Sequence, residues 1–226
     1  MAPGMDFSII DTVLFDFDGT LMDTNGLIVT SWRQTVKALA GREISVEEIR
    51  SSLGELLIDS MRRLIPEVDA EAAVDFYREY QRDIYLDSIR PFDGVPEVLR
   101  ALHEAGYKVA LVTSRLKSST ERGLDHFGLA GFFDAVLTAS DTDKCKPDPE
   151  PIFIILDRIG KTPGQAVYIG DTVHDIEAGR AAGVVTGLVD WSFALPPEYR
   201  AAGPKPDFII EKMQDILVLL GLPPGL

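Results

Sequence analysis

Two hydrophobic rhythms alternate along the chain. Short apolar runs recur at Thr12-Val13-Leu14-Phe15, Tyr107 to Val112, Gln165 to Ile169, Val184 to Leu188, Asp207 to Ile210 and, more weakly, Ala135 to Thr138. Runs of this length, rich in β-branched and aromatic residues, predict buried strands. Between them the period changes. Val95, Val98, Leu99 and Leu102 keep an i, i+3, i+4, i+7 stripe, and Gly106 sits where a C-terminal cap glycine belongs. Asp148-Pro149 predicts an N-cap followed by proline at the first helical position, with the helix ending near Gly160. Asp175 to Ala182 is helical in pattern and closes at Gly183, and a final helix spans roughly Met213 to Leu220. Strands alternating with helices of this length predict a parallel sheet covered on both faces.

One region breaks the alternation. From Thr24 to about Asp87 the pattern gives helices and no convincing strand. Ile28, Trp32, Thr35, Val36 and Leu39 share one helical face. Ser45-Val46-Glu47-Glu48 is a capping box that opens a second helix, and Leu56 to Ile65 and Glu71 to Leu86 predict two more. The expected fold is α/β: a Rossmann-like parallel-sheet core with a small four-helix domain inserted after the first strand. Residues 1–23 and 88–226 would form the core and 24–87 the insert. Met22 to Thr24 and Ile89-Arg90-Pro91-Phe92 are the two crossings between them. Leu222-Pro223-Pro224-Gly225-Leu226 is expected to fray.

Composition narrows the class. The 226 residues are 46% hydrophobic and 26% charged, ordinary for a globular protein with a full core. The start, Met1-Ala2-Pro3-Gly4-Met5-Asp6, has neither the basic residues nor the apolar stretch of a secretory signal. No apolar run approaches the roughly 18 residues of a membrane span. Cys145 is the only cysteine, so no internal disulfide can form and a reducing cytoplasm is the expected setting. A net charge of −14 argues against nucleic-acid partners and anionic membranes. It does not exclude a small anionic substrate, because a metal ion and a few lysines reverse the field locally. The chain is expected to work as a monomer or weak dimer.

Ligands of open α/β sheets bind beyond the carboxyl ends of the strands. After the first strand comes Asp16-Phe17-Asp18-Gly19-Thr20; after the second, Thr113-Ser114-Arg115. The weak third strand leads to Lys144-Cys145-Lys146-Pro147-Asp148-Pro149, and Ile169 leads to Gly170-Asp171-Thr172-Val173-His174-Asp175. Carboxylates, hydroxyls and a lysine at four strand ends suit a divalent metal plus a phosphoryl group: hard oxygens hold Mg²⁺, while hydroxyl, N–H and ammonium groups hold phosphate. Period-2 geometry points Asp16 and Asp18 to one side. Both are useful if a cation neutralises one and the other carries a proton.

These four motifs, in this order, resemble those of the haloacid dehalogenase superfamily of phosphatases. "DFDGT" resembles the first motif, Thr113 the second, Lys146 in "KPDP" the third and "GDTVHD" the fourth. The helical insert resembles the family's α-helical cap. The resemblance implies that Asp16 is a nucleophile forming an aspartyl-phosphate and that Asp18 protonates the leaving oxygen and then activates water. It implies Mg²⁺ held by Asp16, the backbone carbonyl of Asp18 and Asp171, with Asp175 supporting the metal's waters or Lys146. Thr113 and the N–H of Ser114 would hold phosphate oxygens, and Lys146 would offset the crowded negative charge.

"DGTLMDTN" and "KPDFIIEKMQDIL" resemble the pyrophosphatase and phosphoglycolate phosphatase branch most. The expectation is a Mg²⁺-dependent hydrolase of a small phosphorylated anion, pyrophosphate or phosphoglycolate first. A sugar phosphomutase of the same superfamily is the alternative, and a phospho-accepting signalling domain is the rival from a different class. Thr24 and Asn25, at the entry to the insert, are expected to face the leaving group, and Gly54 to let a loop reach the site. Lys144 is read as solvated, His174 as a surface residue of a first helical turn, Trp32 as cap core, and Cys145 as a bystander although two flanking lysines would lower its pKa.

Overall fold

The computed structural model describes residues 7–196 and 203–223. The readings of Met1 to Asp6 and of the final Pro224-Gly225-Leu226 therefore lie outside the described residues. In chain order the elements are β1 (Thr12–Phe15), β2 (Met22–Asp23), α1 (Asn25–Ala40), α2 (Val46–Arg50), α3 (Leu57–Leu64), α4 (Ala70–Ile84), β3 (Arg90–Pro91) and α5 (Val95–Glu104). Then follow β4 (Lys108–Val112), α6 (Lys117–His126), β5 (Ala135–Leu137), α7 (Glu150–Arg158), β6 (Ala166–Gly170), α8 (Val173–Ala182), β7 (Val185–Val189), β8 (Phe208–Ile210) and α9 (Asp215–Leu219).

Among the described residues, six strands form one parallel sheet in the order β5-β4-β1-β6-β7-β8. Both faces are covered, as the apolar runs require. Val13, Phe15, Val109, Leu111, Val167 and Ile169 pack with α5 and α9 through Val98, Leu99, Leu102, Ile216 and Leu217. On the opposite face Leu14, Ala110, Val112 and Tyr168 meet Ile152, Ile155 and Leu156 of α7 and Ala178 of α8. The chain builds outward from β1 to β4 and β5, then returns to the other side of β1 with β6. That reversal makes β1 the switch point, where a crevice opens beyond the strand ends.

Helices α1 to α4 lie between β1 and β4 in sequence and share an apolar cluster of their own, with Trp32, Val36, Ile49, Met61 and Tyr77 at its centre. Leu39, in the last turn of α1, falls outside that cluster and is 38% exposed. The two crossings between helices and sheet pair with each other, Met22 opposite Pro91 and Asp23 opposite Arg90, as a two-stranded antiparallel ribbon. No described helix is long and apolar enough to cross a membrane.

Most element ends shift by a residue or two from the sequence reading, and three helices illustrate why. Helix α7 begins at Glu150, one residue later than expected, because Pro149 rather than Asp148 takes the cap position. Asp148 still works there, its Oδ1 accepting from the Glu150 N–H at 2.9 Å. Helix α8 begins two residues before Asp175, since Thr172 is its N-cap and Asp175 is the third residue of a reciprocal capping box. The last helix is shorter than expected at each end, Asp215–Leu219.

Candidate active site

Three neighbouring strands deliver the site. Asp16, Thr113 and Asp171 each stand immediately after β1, β4 and β6, and the ladder runs on into them: Asp16 N–H donates to Ile169 O at 2.9 Å and Thr113 N–H to Leu137 O at 3.0 Å. Adjacent strands lie about 4.8 Å apart, so residues just past their ends converge. Alternation fixes orientation within "DFDG". Val13, Phe15 and Phe17 share one apolar cluster, which sends Asp16 and Asp18 the other way. The chain then turns tightly at Gly19 (φ 74°), where a Cβ would strike Asp171 Oδ2; glycine satisfies both demands.

Lys146 ties the site together. Its side chain is 4% exposed, and its Nζ donates to Asp175 Oδ1 at 2.6 Å, Asp16 Oδ1 at 2.8 Å and Tyr168 Oη at 3.0 Å. The Tyr168 hydroxyl donates in turn to Asp175 Oδ1 at 2.7 Å. Burial disfavours the ammonium charge, but Asp16 and Asp175 outweigh it and hold Lys146 protonated. The second oxygen of Asp175 accepts from Thr172 N at 2.9 Å and Thr172 Oγ1 at 2.7 Å, so both its oxygens are engaged. Burial opposes its ionisation, yet Lys146 and these donors keep Asp175 below the usual carboxylate range.

Asp16 and Asp171 are less well compensated. Burial pushes Asp16 up to about 7 against the pull of Lys146. Burial, with Asp175 and Asp16 beside it, pushes Asp171 well above the usual range, and its buried Oδ1 has no hydrogen-bond partner. Asp16, Asp171 and Asp175 each offer an oxygen within 4.8 Å of the others. A crowd of hard carboxylate oxygens, one of them unpartnered, fits a divalent cation: the ion would supply the charge that Lys146 alone does not. With Asp175 already committed, Asp16 and Asp171 are the carboxylates free to hold it.

Asp18 has a different partner. Arg115 Nη2 donates to its Oδ1 at 2.7 Å and Arg115 Nε to its Oδ2 at 3.0 Å. Burial works against the charge, but this guanidinium holds Asp18 below the usual carboxylate range. Thr24 is fully buried; its hydroxyl lies near enough to favour ionised Asp18, yet makes no hydrogen bond of ordinary length. Asn25, in contrast, lines the cavity above the site, together with Asp16, Asp18, Thr113, Ser114, Lys146 and Asp171. That cavity, about 520 Å³, runs between the strand ends and helices α1, α3 and α4.

The reading of His174 as a surface residue changes, and the lowered pKa that the flanking lysines suggested for Cys145 is not found. His174 is not a free surface residue: its Nδ1 is buried without a partner and packs against Gly54, which also lines the cavity. Cys145 is not activated by its flanking lysines; burial pushes the thiol up. Lys144 is exposed and pairs with Asp148 and Glu150 at 3.4 and 3.1 Å. Sequence reasoning missed Arg115 and Tyr168. Arg115 was visible as the third residue past a strand end, but its partner lies 97 positions away. Tyr168 read only as a strand residue.

A profile of the haloacid dehalogenase-like hydrolases matches residues 13–189 of the chain. The chain belongs to that family. It is 35% identical over 217 residues to the pyrophosphatase PpaX of Bacillus pumilus, covering 96% of this chain and 99% of the relative. The pyrophosphatase PpaX of Listeria innocua is 39% identical over 212 residues, covering 93% and 96% of the two chains. Among solved structures, a Bacteroides fragilis protein provisionally assigned as a haloacid dehalogenase-like hydrolase superposes with a TM-score of 0.82 at 27% identity, over 92% of this chain and 99% of that one. A protein from Lactobacillus plantarum, provisionally named a phosphoglycolate phosphatase, superposes at 0.80 with 25% identity, over 93% and 99%. The α/β fold expected from the sequence is thus that of haloacid dehalogenase-like hydrolases, and the chain is a hydrolase.

Proposed function

We propose that this hydrolase cleaves a small phosphorylated anion through a covalent aspartyl-phosphate, with inorganic pyrophosphate the first substrate to test and phosphoglycolate the second. The observation that carries the reading is the buried Asp16–Lys146–Asp175 chain beside an uncompensated Asp171, with Asp16, Lys146 and Asp171 all lining one cavity. The relatives named pyrophosphatase PpaX put pyrophosphate ahead.

Asp16 attacks phosphorus through a carboxylate oxygen as the bond to the leaving oxygen breaks. Asp18 gives that oxygen its proton, then takes one from the water that hydrolyses the acyl phosphate, restoring Asp16 and releasing phosphate. Thr113 and the Ser114 N–H bind the transferring oxygens. Lys146 keeps Asp16 in place and offsets the added negative charge. A divalent cation, assigned here as Mg²⁺, would be held by Asp16, Asp171 and the Asp18 carbonyl, with charge stabilisation of the phosphoryl group as its contribution. Asp175 acts on Lys146. Residues 24–87 serve as a cap domain over the core of residues 1–23 and 88–226, and movement at the β2–β3 ribbon excludes water during transfer.

The test is phosphate release from pyrophosphate, phosphoglycolate, sugar phosphates and nucleotides, with Mg²⁺ and with chelator. Metal-dependent release from one small anion, abolished in a folded Asp16→Asn variant, is the expected result. Isomerised product without free phosphate would replace the hydrolase reading with a mutase. A variant lacking Asp16 that turned over at the wild-type rate would remove the nucleophile.

A further inference from the structure

Arg115 is placed strangely for an enzyme in which Asp18 moves protons. Its side chain is 9% exposed, and its guanidinium lies 5.0 Å from the centroid of the Tyr85 ring and 5.8 Å from that of Phe17. Two aromatic faces and three hydrogen bonds to one carboxylate, from Nε to both oxygens and from Nη2 to one, fix the fork in place. An acid held this way cannot reach a leaving oxygen without giving up a charge-assisted pair. Something must take the guanidinium over.

The rest of the cavity indicates what. Arg78 and Arg82 of α4 and Arg122 of α6 line it, and none of the three forms an ion pair among the described residues. Arg122 instead stands 5.7 Å from the centroid of the same Tyr85 ring. The insert's acidic residue on this wall, Glu55, is already paired with Arg63 at 2.8 Å and accepts from Ser60 at 2.7 Å. In a chain of net charge −14, a cavity wall with three arginines outside any ion pair among the described residues, and a fourth whose ion pair is with Asp18, makes the field there more positive. The arginine fork fits a carboxylate and a phosphate equally well.

We propose that Arg115 is the receptor for an anionic leaving group, and that this anion competes with Asp18 for the guanidinium. Resting on the phosphohydrolase reading, this names the substrate class: phosphoryl compounds whose leaving group itself carries a phosphate or carboxylate. Binding transfers Arg115 from Asp18 to the substrate's distal anion, and Asp18 is freed to act on the bridging oxygen. Esters with a neutral leaving group bind the phosphoryl end but leave the Arg115–Asp18 pair closed. Arg78, Arg82 and Arg122 extend the same preference to longer anions, for which a cavity of about 520 Å³ has room.

The experiment compares pyrophosphate and phosphoglycolate with phenyl phosphate in the wild type, Arg115→Ala and Arg115→Lys, reading kcat and KM separately. Wild-type kcat/KM should favour the anionic leaving groups. In Arg115→Ala that preference should fall about 10- to 100-fold, the loss expected for one charge-assisted pair, and Arg115→Lys should regain part of it. Binding of methylenediphosphonate, which cannot be hydrolysed, provides a readout independent of turnover: calorimetry with Mg²⁺ should show affinity reduced by a similar factor in Arg115→Ala. Equal losses of kcat on all three substrates, with methylenediphosphonate affinity unchanged, would make Arg115 a mere holder of Asp18 and overturn the proposal. Turnover of phenyl phosphate without any preference for anions would overturn it while leaving the phosphohydrolase reading intact. Absence of turnover on every substrate would count against that reading, and the calorimetry would still decide the role of Arg115.

Discussion

Lys146 and Lys144 stand two positions apart and have opposite fates. Lys146 lies 4% exposed among two carboxylates and a tyrosine hydroxyl, whereas Lys144 is solvated between Asp148 and Glu150. Lys146→Met leaves Asp16 and Asp175 buried without their cation. Removing one partner of a buried ionic set costs roughly 3–5 kcal/mol, and losing a preorganised positive charge slows phosphoryl chemistry by about 10²–10³. Urea titration together with phosphate release should show both losses in Lys146→Met and neither in Lys144→Met. Equal behaviour of the two variants would refute the assignment. The choice between these lysines was legible from sequence only through the neighbouring Pro147. What decided it is the reach of Nζ across to β1, β6 and α8, a contact between positions 130 apart.

Among the elements, the loop between α2 and α3 joins the helical insert to the core. Gly54 sits there at φ 89°, and a Cβ on it would strike the His174 ring at the start of α8. Gly54→Ala therefore meets both backbone strain and a collision. We expect a cost of about 1–3 kcal/mol and reduced turnover, while the cluster around Trp32, Met61 and Tyr77 keeps its packing. In a His174→Ala background the collision disappears and only the strain remains, so the same substitution should cost less there. Thermal melts of the four proteins give the coupling, and strict additivity would exclude the contact. Element types were readable because period and capping agree: Ser45 with Glu48 forms the reciprocal box that the sequence announced. The two-residue strands β2 and β3 were not, since two residues carry no period.

Taken whole, the molecule carries a cluster of acids that its own cations only partly balance. Asp16 is raised to about 7 and Asp171 higher than an ordinary carboxylate, so in metal-free protein both favour the protonated form of the fold. A raised folded-state pKa stabilises below the unfolded value and is lost as pH rises through the folded one. Metal-free protein should accordingly melt at lower temperature as pH climbs from about 5 to 8. Asp18 and Asp175 are shifted the other way, and their contribution is lost only in more acidic solution. Adding Mg²⁺ should reverse the loss, by about 2.7 kcal/mol at a hundred times its dissociation constant. Calorimetric scans with chelator and with Mg²⁺ test this; a melting temperature indifferent to the cation at pH 8 would argue against a metal between Asp16 and Asp171.

The sequence by itself determined the alternation of strands and helices, the helical interruption after the first strand, and the polar groups that follow four strand ends. Those are local facts, set by side-chain period, caps and turns over a few neighbouring residues. Tertiary structure decided the rest. It chose Lys146 over Lys144, engaged both oxygens of Asp175, left an oxygen of Asp171 unpartnered and gave Asp18 to Arg115. It also gathered Arg78, Arg82 and Arg122 at one cavity in an acidic chain. Each of these depends on a distance between residues far apart in sequence, and a distance exists only once β1 lies between β4 and β6 with the helical insert folded over their ends.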